Sequence, residues 1–252
     1  MKLCRMPDGK PEIFHTIQGE GRNTGLPSVF IRASLCNLHC LWCDTDYTWN
    51  WNDTSFSHVK DAEPGYQKYR REEMIIDLKI SEILEFVRDF NCPSFVFTGG
   101  EPLLQQKAWI ELMLSLKQRL GATHFEIETN GTLMPGPEFL EQIDQINVSP
   151  KLSNSEVAVD LRYKPDVLAD LAKTGKADFK FVIGPDSEDF AEVQRIVEEA
   201  AIPPDQVFLM PKAISVSELE QNQSAVARLA QQSGYRYSDR LHLRLFGAKR
   251  GV

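Results

Sequence analysis

The chain reads as an α/β protein, with about six parallel strands curled into a barrel or partial barrel. Three observations predict this. From residue 27 onward, short β-rich runs alternate with stretches of helical periodicity. The stretches between runs are long enough to hold the crossover helices that parallel strands need. Four of the runs end in polar loops, two of them glycine-bearing, and such a fold places its chemistry at the strand C-termini. With 252 residues, 42% of them apolar, the chain can bury the core of one domain of barrel size. Residues 1–252 are therefore expected to form a single domain, with an insertion at 47–79 that reads as a lid or an oligomer contact.

In chain order, Glu12 to Gln18 alternates loosely and runs into the break Gly19-Glu20-Gly21, where backbone can approach a ligand. Pro27 to Ala33 is a buried strand with one charge, Arg32. A charge inside an apolar strand is paired or faces a polar cavity, so Arg32 is either half of a structural ion pair or an anchor for an anionic substrate. After the polar, aromatic insertion, Ile80, Ile83, Leu84 and Val87 form a helical stripe and Ser94 to Thr98 a strand. Trp109, Leu112, Met113, Leu116 and Leu120 repeat the stripe, and Phe125 to Thr129 the strand. Further strands are expected at Ile146 to Ser149, Phe179 to Ile183 and Val207 to Met210. Helices are expected at Phe190 to Ala200 and from about Ser217, the latter opened by a capping box, Ser215 with Glu218. The last residues, Leu245 to Val252, look like an apolar strand running into a basic tail.

Cys36, Cys40 and Cys43 set three thiols in one loop at C-x3-C-x2-C spacing, in a chain with five cysteines. Three ligands from one loop suit an iron-sulfur cube whose fourth iron stays open. Structural zinc wants four protein ligands, and His39 is the one nearby candidate for the fourth. An odd cysteine count with three clustered is no disulfide framework, and thiolate ligands suit a reducing compartment. No apolar run approaches the length of a membrane span, and residues 1–5 lack a signal peptide's apolar centre, so a cytoplasmic protein with no membrane partner is expected. A net charge of -8 argues against a broad grip on nucleic acid and for a small-molecule partner. Cys4 and Cys92 read as bystanders.

The cysteine spacing, the aromatic Trp42 before the last cysteine, and Gly99-Gly100-Glu101-Pro102 resemble the radical S-adenosylmethionine (SAM) superfamily. Within it, Phe14 to Gly21, Cys43-Asp44-Thr45, Thr98 to Pro102, Glu128 to Gly131 and Val148 to Lys151 resemble the 7-carboxy-7-deazaguanine synthases of the queuosine pathway, which serves tRNA modification. These motifs occupy roughly the first 60% of the chain.

The resemblance implies a partial barrel of radical SAM type, with Cys36, Cys40 and Cys43 on a 4Fe-4S cluster whose open iron takes SAM. It implies a lyase that contracts the ring of 6-carboxy-5,6,7,8-tetrahydropterin, with loss of ammonia, to 7-carboxy-7-deazaguanine. Gly99, Gly100, Glu101, Ser149, Pro150 and Lys151 would bind SAM, joined by Met210, Pro211, Lys212 and Ala213. The glycines would bring backbone to the SAM amino group, and Glu101 would accept its hydrogen bonds. Ile17, Gln18, Gly19, Arg32 and Thr98 would hold the pterin, Arg32 at its carboxylate. Thr45 would ligate Mg2+, and the α-carboxylate of Val252 would reach the substrate. A flavodoxin or ferredoxin as electron donor and a homodimer are implied as well. Two other readings stay open. One is a glycyl-radical enzyme activase, which shares the cysteine spacing. The other is a non-enzymatic metal-binding or electron-transfer module.

Overall fold

The structure is a computed structural model that describes residues 1–185 and 187–252. Its strands are β1 (Lys2–Cys4), β2 (Ile13–Ile17), β3 (Pro27–Ala33), β4 (Ile75–Asp77), β5 (Ser94–Gly99), β6 (His124–Thr129), β7 (Gln145–Val148), β8 (Ala177–Ile183), β9 (Val207–Pro211) and β10 (Arg236–Tyr237). They form one sheet in the order β10-β9-β8-β7-β6-β5-β3-β1-β4, with β2 also on β3. From β3 through β10 every neighbouring pair is parallel; β1 and β2 join β3, and β4 joins β1, antiparallel. The sheet is open, so the arrangement is a partial barrel. The six expected strands are present, and two-residue β10 extends the parallel series.

The helices are α1 (Arg71–Met74), α2 (Ile80–Val87), α3 (Gln106–Leu120), α4 (Pro137–Gln142), α5 (Val159–Arg162), α6 (Pro165–Lys173), α7 (Ser187–Glu199), α8 (Val216–Ser233) and α9 (Leu241–Phe246). Side chains alternate across a strand, and here the alternation divides the labour cleanly. Val29, Ile31, Phe95, Phe97, Phe125, Ile127, Ile146, Val148, Phe179, Phe181, Val207 and Leu209 all join one core with Ile83, Trp109, Leu112, Met113, Leu116, Leu168, Ile196 and Val226 of the helices. Phe97 stacks on Trp109 with centroids 4.5 Å apart, and the Trp109 indole donates to the Pro102 carbonyl at 2.9 Å. Each such fully buried side chain contributes roughly 1.5–3 kcal/mol. The intervening positions, Ser28, Arg32, Thr98, Glu126, Glu128, Asn147, Asp178 and Lys180, carry polar groups on the opposite, concave face.

Two expectations need correction. Leu245 and Phe246 end α9 instead of a strand, and Leu243, not Leu245, is the buried residue of that helix. Glu218 does not close a reciprocal box at α8: Ser215 accepts from the Glu218 N–H at 3.2 Å, but Glu218 reaches back to the Ile214 N–H at 2.7 Å. Within the insertion Trp49 and Trp51 are buried, and Ile75–Asp77 forms β4 on the sheet edge.

Candidate active site

Strand β3 ends at Ala33, and the chain turns through Leu35, a non-glycine residue at φ 76°. Backbone held in that region stores strain and needs firm support. Gly99 and Gly100 supply it. A Cβ on Gly99, whose φ is 138°, would lie 2.1 Å from the Ala33 carbonyl oxygen, and one on Gly100 would lie 2.1 Å from that of Leu35. Without those carbons the Gly100 N–H donates to Ala33 O at 3.1 Å and the Glu101 N–H to Leu35 O at 2.8 Å. The glycine pair thus fastens β5 to the start of the cysteine loop.

Three other segments hold the same loop. Asn130 donates to the Asn37 side-chain oxygen at 2.8 Å, and Asn37 donates to Thr132 at 2.8 Å. The Leu41 N–H donates to Ser155 O at 3.0 Å and the Trp42 indole to Asn154 O at 2.7 Å. From the insertion, the Val59 N–H donates to Leu41 O at 2.9 Å, and His58 Nε2 lies 2.9 Å from Cys43 O.

So held, Cys36, Cys40 and Cys43 all line a cavity of about 1140 Å3 at the C-terminal ends of the parallel strands. All three are free thiols. Burial pushes each thiol pKa up, Cys40 to about 11, so a ligand that stabilises thiolate has much to offer here. His39 points elsewhere: its ring stacks on Phe56, centroids 3.4 Å apart, with Trp49 edge-on at 5.2 Å. Among the described residues, no group of His, Cys, Asp and Glu side chains converges as the cage of a single ion would. Three thiols facing one cavity without meeting at a point, with no fourth protein ligand among the described residues, fit a polynuclear cluster better than tetrahedral zinc.

Of the other expected residues, Gly99, Gly100, Ser149, Lys151, Met210, Lys212 and Ala213 line the cavity with Ile17, Gln18, Gly19, Arg32, Thr98, Thr45 and Val252. The Lys151 ammonium donates to Ser149 Oγ at 2.9 Å and lies 5.8 Å from the Trp42 ring centroid, with Lys212 at 5.3 Å. Pro150 and Pro211 do not line the cavity. Nor does Glu101, expected as a hydrogen-bond acceptor for SAM: it is fully buried and accepts from the Leu103 N–H (3.0 Å), Thr129 Oγ1 (2.9 Å) and the Asn130 N–H (2.8 Å). Its carboxylate ties the β5 loop to the β6 loop.

Arg32 is ion-paired and also lines the cavity. Its Nε donates to Glu12 Oε1 at 2.8 Å, yet the side chain lines the cavity. Buried Glu12 also accepts from Arg250 Nε (2.8 Å) and the Tyr47 hydroxyl (3.0 Å), and the Arg250 guanidinium lies 3.7 Å from the Tyr47 ring centroid. Thr98 donates to Glu128 Oε2 at 2.6 Å, and Gln18 Nε2 to Glu126 Oε2 at 3.3 Å. Beside Thr45 the carboxylates are already engaged, Asp44 by Arg240 at 2.7 Å and Asp46 by Lys60 at 2.9 Å and Tyr66 at 2.8 Å.

One group of residues escaped the sequence reading. Arg240, just before α9, donates to Glu20 Oε1 at 3.0 Å, to Asp44 and to the Ala213 carbonyl, while Lys180 of β8 pairs with the other Glu20 oxygen. Burial works to raise the Glu20 pKa, but Lys180, Arg240 and His242 hold it well below the usual carboxylate range. Burial pushes the neighbouring His242 pKa down. Gly19 makes room for that ring, since a Cβ there would meet His242 Nδ1 at 2.4 Å. Lys180 is a charge inside an apolar strand, the same signal that singled out Arg32; no local pattern marks Arg240.

The comparisons agree with this geometry. The family model described as the radical SAM superfamily matches residues 31–201. The chain is 35% identical over 240 residues to a 7-carboxy-7-deazaguanine synthase of Pyrobaculum aerophilum, covering 95% of each chain. It is 32% identical to the enzyme of the same name from Rhodopirellula baltica, covering 96% of this chain and 87% of the relative. A solved structure of QueE from Escherichia coli superposes with TM-score 0.63 at 22% identity over 96% of this chain and 95% of that one, a likeness of fold. The chain belongs to the radical SAM superfamily and, within it, to the family of the 7-carboxy-7-deazaguanine synthases.

Proposed function

We propose that the protein is a 7-carboxy-7-deazaguanine synthase, a radical SAM lyase that contracts 6-carboxy-5,6,7,8-tetrahydropterin to 7-carboxy-7-deazaguanine with loss of ammonia in queuosine biosynthesis. The observation that carries the reading is a single cavity lined by three free thiols, Cys40 buried and Cys36 and Cys43 partly so, together with Gln18, Arg32 and Thr98. The near full-length relatives named for this activity support it.

Cys36, Cys40 and Cys43 would hold a 4Fe-4S cluster, and Gly99, Gly100, Ser149 and Lys151 would border SAM, with Met210, Lys212 and Ala213 beyond. Bound there, cluster and SAM supply the one-electron chemistry that starts the reaction. The chain's own groups orient the substrate and exclude water. Arg32, steadied by Glu12, presents a fixed cation for the pterin carboxylate. Gln18 and Thr98 are held by Glu126 and Glu128, so their remaining hydrogen-bonding capacity faces the cavity in a defined orientation. Ile17 and Gly19 flank Gln18, and Val252 stands at the rim. Thr45 would offer a hydroxyl to Mg2+, an ion that keeps several waters and tolerates a sparse protein site. A single domain, paired as a homodimer in the cytoplasm and reduced by a flavodoxin or ferredoxin, completes the reading.

The test is spectroscopic. Anaerobic reconstitution should load a cluster whose reduced EPR spectrum changes on adding SAM, and cleavage of SAM should quicken when the carboxytetrahydropterin is present. Zinc bound in place of iron, or a reduced spectrum indifferent to SAM, would contradict it.

A further inference from the structure

The chain has four tryptophans, and a buried indole N–H normally finds an acceptor. Trp42 Nε1 donates to Asn154 O at 2.7 Å, Trp51 to Tyr47 O at 3.2 Å and Trp109 to Pro102 O at 2.9 Å. Trp49 is the exception. Only 2% of it is exposed, and among the described residues its Nε1 has no hydrogen-bond partner. An unpaired buried donor costs about 1–3 kcal/mol, so an acceptor that comes with function is worth seeking.

Trp49 lines the cavity beside Cys43, Thr45 and His58. A short turn, Asp46–Thr48, joins it to the cysteine loop: the Thr48 N–H donates to Thr45 O and the Trp49 N–H to Asp46 O, both at 3.0 Å. The indole packs edge-on against His58 at 5.9 Å. His58 Nδ1 accepts from the Lys60 N–H at 3.2 Å, which leaves Nε2–H to donate to Cys43 O at 2.9 Å. Trp49 and Cys43 are therefore braced by the same imidazole.

We propose that Trp49 is a positioning residue for the cluster, its indole N–H donating to the Cys43 sulfur when that sulfur is a cluster ligand and thereby raising the cluster's reduction potential. The inference rests on reading Cys36, Cys40 and Cys43 as the ligands. Hydrogen bonds to ligand sulfur stabilise the more negative, reduced state and are among the levers that set such potentials. A ligand thiolate is also a stronger acceptor than a free thiol. The insertion at 47–79 then belongs to the redox site, through Trp49 and His58.

The experiment uses the full chain, labelled with 15N at the indole nitrogens and reconstituted with iron and sulfide. Pulsed EPR of the reduced cluster should show coupling to one indole nitrogen and its exchangeable proton. The other three indoles are committed to carbonyls, so that nitrogen is Trp49's. Trp49→Phe keeps a ring but no N–H. It should retain iron and sulfide, lose the coupling and shift the midpoint potential negative by about 59 mV, a tenfold change in the reduced-to-oxidised ratio of a one-electron couple. A loaded cluster without a coupled indole nitrogen, or an unchanged potential in Trp49→Phe, overturns the proposal. A protein that takes up no cluster overturns it together with the ligand reading. Should Trp49→Phe fail to fold, the labelled unsubstituted protein decides.

Discussion

Cys4 and Cys40 are both buried, yet their surroundings assign them opposite roles. Cys4 sits in β1, its Sγ 3.2 Å from the Ala33 carbonyl oxygen, whereas Cys40 lines the cavity. We predict that Cys36→Ala, Cys40→Ala and Cys43→Ala each lose the cluster and all turnover, while Cys4→Ala and Cys92→Ala keep their iron. Iron and sulfide assays on the five variants check it. Arg32→Ala should raise the substrate KM roughly 10- to 100-fold, the value of a charge-assisted pair in a desolvated pocket. Iron content should be unchanged, because Glu12 retains Arg250 and Tyr47 and no carboxylate is left stranded. Unfolded Arg32→Ala protein would mean that the ion pair is structural. At this scale the cysteines and Arg32 were legible, because spacing and a charge in an apolar strand are local signals. Arg240 was not, since its partners Glu20 and Asp44 lie far away in sequence and only the fold brings them together.

Among the elements, the β5 end carries the sharpest steric demand. Gly100→Ala must push a Cβ into the Leu35 carbonyl, 2.1 Å away, and so displace the cysteine loop. A loss of about 3 kcal/mol or more of stability, together with poor cluster retention, is expected from thermal unfolding and iron assays. The sequence marked this glycine pair as important but for a different reason, close approach to a ligand, when the nearest obligation is backbone on backbone. In β6, His124 Nε2 lies 2.9 Å from Glu126 Oε1. The hydrogen bond to Glu126 raises the His124 pKa above 6.5, so its stabilisation is full below that value and is lost as pH rises through the raised one. For Glu126, burial works upward, but His124, Asn23 and Asn147 hold its pKa below 4.5, so its contribution is lost only as pH falls through that depressed value. His124→Gln should therefore flatten the decline in unfolding free energy as pH rises above about 6.5; an unaltered slope in urea titrations would show that the pair contributes nothing. Strands were legible wherever apolar residues ran on. The insertion was not, because its order comes from contacts of single side chains, Trp49 against His58 and His58 on the Cys43 carbonyl, that follow no repeating period.

At the scale of the whole molecule, a sheet that alternates apolar and polar residues has one face for helices and one for chemistry. The helix-facing residues supply one continuous core, and the concave face turns Arg32, Thr98, Glu128, Asn147 and Lys180 into the cavity that the cysteine loop borders. The alternation of strands with helices and the polar loop ends could be read from the chain, since both follow from local sequence pattern. The polar concave face was harder to see, because Glu126, Asn147, Asp178 and Lys180 interrupt strands singly and gain their meaning only when neighbouring strands set them side by side. The measurement that tests the central claim most directly is turnover. Protein reconstituted anaerobically with iron and sulfide is given SAM, a reductant and 6-carboxy-5,6,7,8-tetrahydropterin, and the mixture is followed by mass spectrometry. We predict 7-carboxy-7-deazaguanine, formed with release of ammonia and abolished by Cys40→Ala; a fully loaded protein that cleaves SAM and leaves the carboxypterin untouched would contradict the account.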